Sequence, residues 1–201
     1  MPERALRGEL LAQAFAHGQP SAALDLGTGT GSLAIELERR APHARVVGAD
    51  VDSGALARAQ AKAGADSRVQ WVKADATALP FADGSFSLIT CSLVLHHLRR
   101  AEKLQALREC LRVLSPTGRL HIADWGRPQD PLMRIAFLSI RMLDGFDRTR
   151  AHAAGELPEL IAASGFALPT PYRRMRTIWG ALELISASPP TPAGTTGHAS
   201  L

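Results

Sequence analysis

Short apolar runs alternate along the chain with segments in which apolar side chains recur at helical spacing. The short runs predict strands that are buried on both faces of a sheet, and the periodic segments predict helices that cover it. Five strands are predicted, at 22–26, 45–50, 69–73, 86–91 and 119–125. Helices are predicted at about 6–15, 33–40, 53–63 and 101–114. Because crossovers between parallel strands are right-handed, we expect one parallel α/β sheet with helices on both faces.

The helix predicted over 101–114 is amphipathic. Its apolar face consists of leucines at helical spacing: Leu104, Leu107, Leu111 and Leu114. Four charged residues are predicted to lie away from this face: Glu102, Lys103, Glu109 and Arg112. We therefore expect the leucine face to pack on the sheet.

The pattern is less regular in the last third of the chain. Helices are predicted over 132–143 and near 156–163. We interpret about 126–165 as a helical insertion that forms a lid over the carboxyl edge of the sheet, where ligands bind in such folds. Two further strands, at 166–168 and 177–186, would bring the sheet to seven strands.

The end of the chain differs in composition. Residues 188–201 are rich in Pro, Thr and Gly and have little apolar surface to bury, so we predict a disordered tail. The remainder, 1–187, is predicted to be a single domain, because a chain of 201 residues is ample for one hydrophobic core and short for two.

Composition narrows the classes of function. Hydrophobic residues make up 46% of the chain, and no apolar run reaches the roughly 18 to 20 residues that span a bilayer. The first residues do not resemble a secretory leader, so we expect cytoplasmic residence without a membrane span. The net charge of +4 includes dispersed arginines, which makes nucleic acid an unfavoured partner. Cys91 and Cys110 lie in a predicted strand and a predicted helix, so we expect neither a disulfide nor a metal site.

Three glycines, Gly27, Gly29 and Gly31, lie between the first predicted strand and the helix that follows it. Glycines at this place indicate a ligand that approaches the backbone so closely that a Cβ atom would collide with it. The start of the helix offers free amides and a positive dipole end, which suit a carboxylate or a pyrophosphate. Dinucleotides and S-adenosylmethionine both meet these requirements.

Two aspartates follow at the ends of the next strands. Asp50 ends the second strand, where its carboxylate can accept hydrogen bonds from both ribose hydroxyls of an adenosine. Asp75 follows the third strand and can accept a hydrogen bond from an adenine amino group. Each feature alone is as compatible with an ordinary turn or strand end as with a binding site. Their order and spacing together predict a cofactor that contains an unphosphorylated adenosine.

Three segments resemble motifs of class I S-adenosylmethionine-dependent methyltransferases: LDLGTGTG at 24–31, GADVD at 48–52 and DATALPF at 75–81. Three more resemble the ubiquinone and menaquinone biosynthesis branch of that class, at 83–89, 93–98 and 111–120. The resemblance covers about residues 20–125. It implies a Rossmann-like, seven-stranded, mostly parallel sheet with an antiparallel last strand.

The resemblance also assigns residues to the parts of S-adenosylmethionine, which becomes S-adenosylhomocysteine after transfer. The glycine loop would hold the methionine part, and Asp25 would reach its ammonium group. Asp50 would bind the ribose, Val51 would pack on the adenine, and Ser92 would lie near the transferred methyl group. The implied cofactor residues are Asp25, Gly27, Thr28, Gly29, Gly31, Asp50, Val51, Asp75, Ala76 and Ser92.

No catalytic residue is determined by the sequence, since a base is needed only for a hydroxyl or an acidic carbon acceptor. His96 and His97 follow the fourth strand on the active edge, but the related family carries histidine there without a general catalytic role, so packing is favoured. His152 is a candidate base by its location in the insertion. The residues proposed to line an acceptor pocket are Trp125, Met133, Phe137, Arg141 and Phe146.

We expect a small, partly hydrophobic metabolite as methyl acceptor, with C- or O-methylation favoured over N-methylation. The sequence is compatible with a homodimer. One alternative is a methyltransferase-fold protein that binds the cofactor but only regulates or scaffolds a partner. An RNA methyltransferase is a less favoured alternative. So is a nucleotide-dependent oxidoreductase, because the glycine loop lacks the extra residue of the usual G-x-G-x-x-G turn.

Overall fold

The computed structural model describes residues 3–128, 133, 142, 146–167, 169–177 and 180–191. Its α-helices are α1 (Glu3–Phe15), α2 (Ser32–Arg40), α3 (Ser53–Ala63), α4 (Arg100–Val113), α5 (Phe146–Ala154) and α6 (Leu157–Ala163), and a 3₁₀ helix, η1, spans Leu95–His97. Its strands are β1 (Ala22–Leu26), β2 (Arg45–Asp50), β3 (Gln70–Lys73), β4 (Phe86–Ser92), β5 (Leu114–Trp125), β6 (Thr170–Thr177) and β7 (Gly180–Ala187).

The seven strands form one sheet in the order β3-β2-β1-β4-β5-β7-β6. Strands β1 to β5 are parallel, and β7 runs antiparallel to both of its neighbours, β5 and β6. The predicted Rossmann-like sheet, mostly parallel with an antiparallel last strand, is therefore confirmed. The strand order reverses between β1 and β4, and a crevice forms at the carboxyl ends of the strands beside such a switch point.

Two hydrophobic clusters cover the two faces of the sheet, as the apolar runs predict. Leu24 and Leu26 of β1 belong to one cluster, and Ala23 between them belongs to the other. This alternation follows from the two-residue period of a strand, which points successive side chains to opposite faces. Leu10 and Leu11 of α1 are fully buried in the second cluster, which confirms the predicted first helix.

The two last strands differ from the prediction. The strand expected at 166–168 is absent from the described residues there, although Phe166 is buried, and β6 begins later, at Thr170. Among the described strands β6 pairs only with β7, so it is an edge strand, and its arginines are exposed. Charged residues protect an edge strand from further pairing, and they also remove the apolar pattern by which a strand is predicted. Because β6 extends to Thr177, strand β7 starts at Gly180, three residues after the predicted start.

The charged face predicted for α4 is wrong at one position. Lys103 is fully buried, and its Nζ donates hydrogen bonds to the carbonyl oxygens of Leu98 and Arg148. The bond to Arg148 measures 2.6 Å and reaches α5. Helix α5 was not predicted, because its sequence carries several charged and small residues and little apolar periodicity. A lysine covered by an unpredicted helix cannot be recognised as buried from its own helix alone.

Parts of the predicted insertion and tail lie outside the described residues. The helix predicted over 132–143 is described only at Met133 and Met142, both of which are helical. The predicted helix near 156–163 corresponds to α6. For the tail, 192–201 lie outside the described residues, so the expectation of disorder remains a prediction.

Candidate functional site

A cavity of about 530 Å³ opens at the carboxyl edge of the sheet, beside the switch point between β1 and β4. It is lined by residues from the ends of β1, β2, β3 and β4 and from the turns after them: Leu26, Gly27, Gly29, Ala49, Asp50, Val51, Asp52, Ala55, Ala74, Asp75, Ala76, Leu93, Val94, His97 and Leu98. This volume lies in the range of small-molecule and cofactor sites. The lining is mostly apolar with three carboxylates, as in a site that orients its ligand through a few polar groups.

The three glycines of the loop after β1 all have positive φ, but they do not serve the same purpose. A Cβ atom added at Gly29 would have no heavy atom within 4 Å, so this residue leaves open space at the cavity. A Cβ atom at Gly27 would overlap Val94, and one at Gly31 would lie 2.5 Å from the Trp71 ring. Only Gly29 therefore fits the prediction that a glycine makes room for a ligand; the other two make room for the protein's own side chains.

The carboxyl group of Asp25 lies behind this loop and not on the cavity wall. It accepts hydrogen bonds from the hydroxyls of Thr28, at 2.6 Å, and Thr90, at 2.9 Å. Burial raises the pKa of Asp25 to about 6, although both hydrogen bonds oppose the shift. In the described structure Asp25 and Thr28 therefore fix the loop to β4 and stand one layer behind the cavity surface.

Asp50 connects two turns of the cavity wall. Its Oδ2 accepts a hydrogen bond of 2.8 Å from the amide of Gly29, and its Oδ1 accepts one of 2.9 Å from the amide of Asp52. Each carboxylate oxygen can accept a further hydrogen bond, so both remain able to bind hydroxyl groups. The next residue, Val51, lines the cavity with 65% of its surface exposed.

Asp75 and Ala76 form the wall at the end of β3. The Oδ1 atom of Asp75 accepts hydrogen bonds of 2.8 Å from both the amide and the hydroxyl of Thr77. These bonds stabilise the ionised form and hold the pKa of Asp75 below its usual value. The turn therefore presents an oriented carboxylate to the cavity.

The wall after β4 is built by residues that the sequence prediction did not select. Ser92, which was selected, ends β4 opposite Ala123 and is not among the lining residues. Leu93 and Val94 line the cavity instead, and Leu93 has a φ of 58°. A leucine in the left-handed region is strained, and such strain persists where the surrounding structure fixes the turn. Leu93 and Val94 could have been identified by their position directly after a parallel strand.

The three candidate histidines lie in different environments. His97 lines the cavity, whereas His96 beside it is buried and its Nδ1 lies 2.7 Å from Oδ1 of Asp124. His152 is fully buried in α5, and its Nε2 lies 3.7 Å from the same oxygen. Burial lowers the pKa of His152 to about 4, so this residue is neutral at neutral pH.

Asp124 is the charged residue that connects two of these histidines, and sequence reasoning missed it. It is fully buried near the end of β5 and also accepts a hydrogen bond of 2.7 Å from the amide of Trp125. Burial opposes its ionisation, but His96 and His152 outweigh burial and hold the pKa of Asp124 well below its usual range. An acidic residue in an apolar strand was the pattern that could have revealed it.

The residues predicted to line an acceptor pocket are only partly described. Trp125 is buried, and its ring centroid lies 6.4 Å from that of His96. Met133 is buried as well. Phe137 and Arg141 lie outside the described residues, and Phe146 begins α5 with its side chain outside them. The acceptor pocket therefore stays a prediction.

Three further expectations concern absent features. Cys91 and Cys110 are buried free cysteines, and burial raises the pKa of both thiols. Among the helices that the structure describes, none has the length and apolar character needed to cross a bilayer. Within the described ranges, no three His, Cys, Asp or Glu side chains converge as a metal site requires.

Comparison with known proteins identifies the family. Residues 23–118 match a family model described as a methyltransferase domain. A demethylmenaquinone methyltransferase of Deinococcus radiodurans is 38% identical over 136 residues, which cover 67% of this chain and 55% of that protein. The chain is similar to a methyltransferase domain over residues 23–118. The ubiquinone/menaquinone biosynthesis C-methyltransferase of Dinoroseobacter shibae is 37% identical to it over 117 residues, which cover 57% of this chain and 46% of that protein.

The likeness extends to the fold of the methyltransferase domain. The N-methyltransferase NodS of Bradyrhizobium japonicum, solved with S-adenosyl-l-homocysteine, matches with a TM-score of 0.71 and 21% identity, over 94% of this chain and 87% of that one. At this identity the match supports the fold alone. The chain spans about half the length of the curated relatives it matches. The predicted resemblance to class I methyltransferases and their quinone branch is thereby confirmed.

Proposed function

We propose that this chain is an S-adenosylmethionine-dependent methyltransferase that acts on a small, partly hydrophobic metabolite. The observation that carries the proposal is the order of groups around the cavity. Gly29 leaves open space, Asp50 presents a carboxylate at the end of β2, and Asp75 presents another at the end of β3. These groups suit a methionine chain, a ribose and an adenine in that order.

The exposed side chain of Val51 supports this assignment. An apolar side chain with 65% of its surface exposed lies at the rim of the cavity, directly after the carboxylate of Asp50. A flat base that packs on Val51 would remove apolar surface from water, which favours binding. The same base would bring its amino edge toward Asp75 and Ala76. Val51 and Asp50 thus form one recognition unit for adenosine.

The other proposed cofactor residues act through the loop. Asp25 and Thr28 hold the loop in place from behind, and Gly27 and Gly31 allow its close packing. Ser92 is proposed to lie near the methionine part through the turn that it begins. When bound, S-adenosylmethionine supplies a methyl group that is already activated by the sulfonium charge. The protein therefore has to orient the acceptor and exclude water, which positioning alone can accomplish.

For the acceptor we propose an aromatic or partly hydrophobic ring, methylated at carbon or oxygen before nitrogen. The name of the C-methyltransferase relative from Dinoroseobacter shibae supports carbon as the site of transfer. If the acceptor is a hydroxyl or an acidic carbon, His97 is the histidine of the cavity wall that can reach it. His96 and His152 are buried, which favours a positioning role for both.

The proposal is tested by transfer of a radiolabelled methyl group from S-adenosylmethionine to a metabolite extract. We expect a labelled product with the wild type and none above background with Asp50→Ala. Asp66→Ala, which removes an exposed carboxylate before β3, is the matched control and is expected to retain activity. Cofactor binding without a labelled product in any fraction would contradict catalysis and favour a regulatory or scaffolding protein.

A further inference from the structure

A cluster of four buried polar residues lies between the cavity wall and α5. Its members are Asp124, His96, Lys103 and His152, which we call the Asp124 cluster; none of them is more than 5% exposed. They come from the end of β5, from η1, from α4 and from α5. Three of the four, Asp124, His96 and Lys103, are joined to their neighbours by short polar contacts, so they fix the relative positions of the elements that they connect.

Asp124 holds the turn that forms one wall of the cavity. Its Oδ1 lies 2.7 Å from Nδ1 of His96, and its Oδ2 accepts a longer hydrogen bond of 3.3 Å from the backbone amide of His96. His96 belongs to η1, whose last residue, His97, lines the cavity together with Leu98. Asp124 therefore sets the position of this wall through two contacts with a single residue.

The same carboxylate faces α5. His152 Nε2 lies 3.7 Å from Oδ1 of Asp124, and the His152 ring meets the His96 ring edge-on at a centroid distance of 6.2 Å. One helical turn earlier, the carbonyl oxygen of Arg148 accepts a hydrogen bond from Lys103 Nζ, which also binds the carbonyl oxygen of Leu98. Helix α5 is thus held by the hydrogen bond from Lys103 and by packing of the His152 ring beside Asp124, and both contacts lead to the turn that lines the cavity. Within the described residues, neither ring nitrogen of His152 has a hydrogen-bond partner.

This arrangement gives the cavity and α5 a shared set of contacts. A ligand that orders the wall at His97 and Leu98 also orders His96 and the carbonyl group bound by Lys103. Undocking of α5 would expose Asp124 and remove the partner of Lys103, which disturbs the same wall from the other side. Two sites that stabilise one common arrangement are coupled, and the coupling acts equally in both directions.

We propose that Asp124 is a positioning residue that couples the docking of α5 to occupation of the cofactor cavity, with His152 as its contact on the helix. The proposal rests on the proposed function, because the ligand of the cavity is taken to be the cofactor. Helix α5 closes over the carboxyl edge when the cofactor is bound and loosens when it leaves.

The test is hydrogen exchange of the full chain, measured with and without saturating S-adenosylhomocysteine. In the wild type we expect the ligand to slow exchange in 93–99 and, by about tenfold, in 146–154. In His152→Phe the ligand should still slow exchange in 93–99 but change 146–154 by less than about twofold. His152→Gln returns a polar side chain that can donate an N–H to Asp124, so it should recover most of the response.

His121→Phe is the matched control. His121 is also fully buried, its pKa is also lowered by burial to about 4, and it lies in β5, the strand of Asp124. Its ring faces Tyr172 at a centroid distance of 6.3 Å, away from α5. This variant should keep the wild-type response in 146–154 even if it lowers global stability.

Two outcomes overturn the coupling. One is an equal response of 146–154 in His152→Phe and in the wild type. The other is a wild type that binds S-adenosylhomocysteine by calorimetry without any response in 146–154. A wild type that does not bind this ligand overturns the proposed function as well, and the calorimetric titration distinguishes that result. Asp124→Asn extends the test if it folds, and the His152 variants decide it if it does not.

Discussion

The cavity wall built by β1 and β2 and the wall covered by α5 are held together by different kinds of contact. On the first wall, a single carboxylate, Asp50, binds the amides of Gly29 and Asp52, and these contacts lie within one strand-helix-strand unit, from β1 to the turn after β2. On the second wall, Lys103 reaches α5 across 45 positions of sequence, and Asp124 reaches His96 across 28. The first wall is built within one strand-helix-strand unit and is partly exposed, and the second joins η1, α4, β5 and α5 and is buried.

This difference assigns ligand binding to the first wall and the docking of α5 to the second. The first wall presents groups that a ligand can contact directly, so its residues should determine affinity. The second wall buries its charged groups and presents little besides His97 and Leu98 to the cavity, so its residues should determine stability and the position of α5. Substitutions on the two walls are therefore expected to have different measurable effects.

The largest expected effect comes from the first wall. Asp50→Ala removes the acceptor of two backbone amides and the proposed ribose ligand, so affinity for S-adenosylhomocysteine should fall about 100-fold, since hydrogen bonds to charged groups contribute about 1.5 to 3 kcal/mol. Calorimetric titration measures the change. Asp66→Ala is the control, and an unchanged affinity in Asp50→Ala would remove Asp50 from the site.

Two glycines of the loop after β1 allow a packing role and a ligand-facing role to be compared within one turn. Gly31→Ala places a Cβ 2.5 Å from the Trp71 ring, so we expect a loss of about 2 to 3 kcal/mol in the free energy of unfolding. Gly29→Ala meets no protein atom, so its loss should be about 1 kcal/mol, from backbone strain alone. Urea unfolding of both variants measures the difference. Equal losses would contradict the separate roles assigned to the two glycines.

On the second wall, Lys103→Met is expected to lower the free energy of unfolding by about 2 kcal/mol, because it leaves the carbonyl groups of Leu98 and Arg148 without their buried donor. Affinity for S-adenosylhomocysteine should fall less than it does in Asp50→Ala. Arg108→Met, at an exposed position of the same helix, is the control. A variant as stable as the wild type would show that α5 does not depend on this contact.

The smallest effect is a pH dependence of stability. Burial lowers the pKa of His121 to about 4, below the 6.5 of an unfolded histidine, so the unfolded state binds a proton first as pH falls. This residue should therefore reduce stability by about 1 kcal/mol between pH 6.5 and 5.5. His121→Phe should remove that part of the decrease, and the contribution of His152 should remain.

The contribution of Asp25 to the pH dependence of stability has the opposite sign to that of His121 and provides an internal check. Its pKa is raised to about 6 by burial, so the folded state holds the proton more tightly than the unfolded state does. Stability from this residue is present at low pH and is lost as pH rises from about 4 to 6. Urea unfolding of Asp25→Asn across this range should lack that loss. A parallel pH profile in Asp25→Asn and the wild type would contradict the assignment.

The same division explains what could be predicted from the sequence. Gly29 and Asp50 were identified because each can be recognised from the residues next to it in sequence. Gly29 lies in a glycine-rich turn, and Asp50 ends an apolar strand. Lys103 was misassigned because its burial depends on α5, which has little apolar periodicity of its own. Asp124 was missed because nothing in the sequence near it indicates that His96 and His152 surround it.

The strand errors have a related cause. Four of the five strands predicted from apolar runs, β1, β2, β4 and β5, lie inside the sheet, where burial determines the sequence. The fifth, β3, lies at one edge and packs against α3. Strand β6 lies at an edge, where exposed arginines are favoured over apolar residues, so it was placed too early at the buried Phe166. Local pattern therefore predicted the central sheet and several residues that line the cavity, while contacts distant in sequence determined the rest.

The central claim is that the cavity at the ends of β1, β2 and β3 binds S-adenosylmethionine. It is tested most directly by calorimetric titration of the wild-type chain with S-adenosylhomocysteine and, separately, with NAD. We expect saturable binding of S-adenosylhomocysteine and no measurable binding of NAD. Tight binding of NAD without binding of S-adenosylhomocysteine would contradict it.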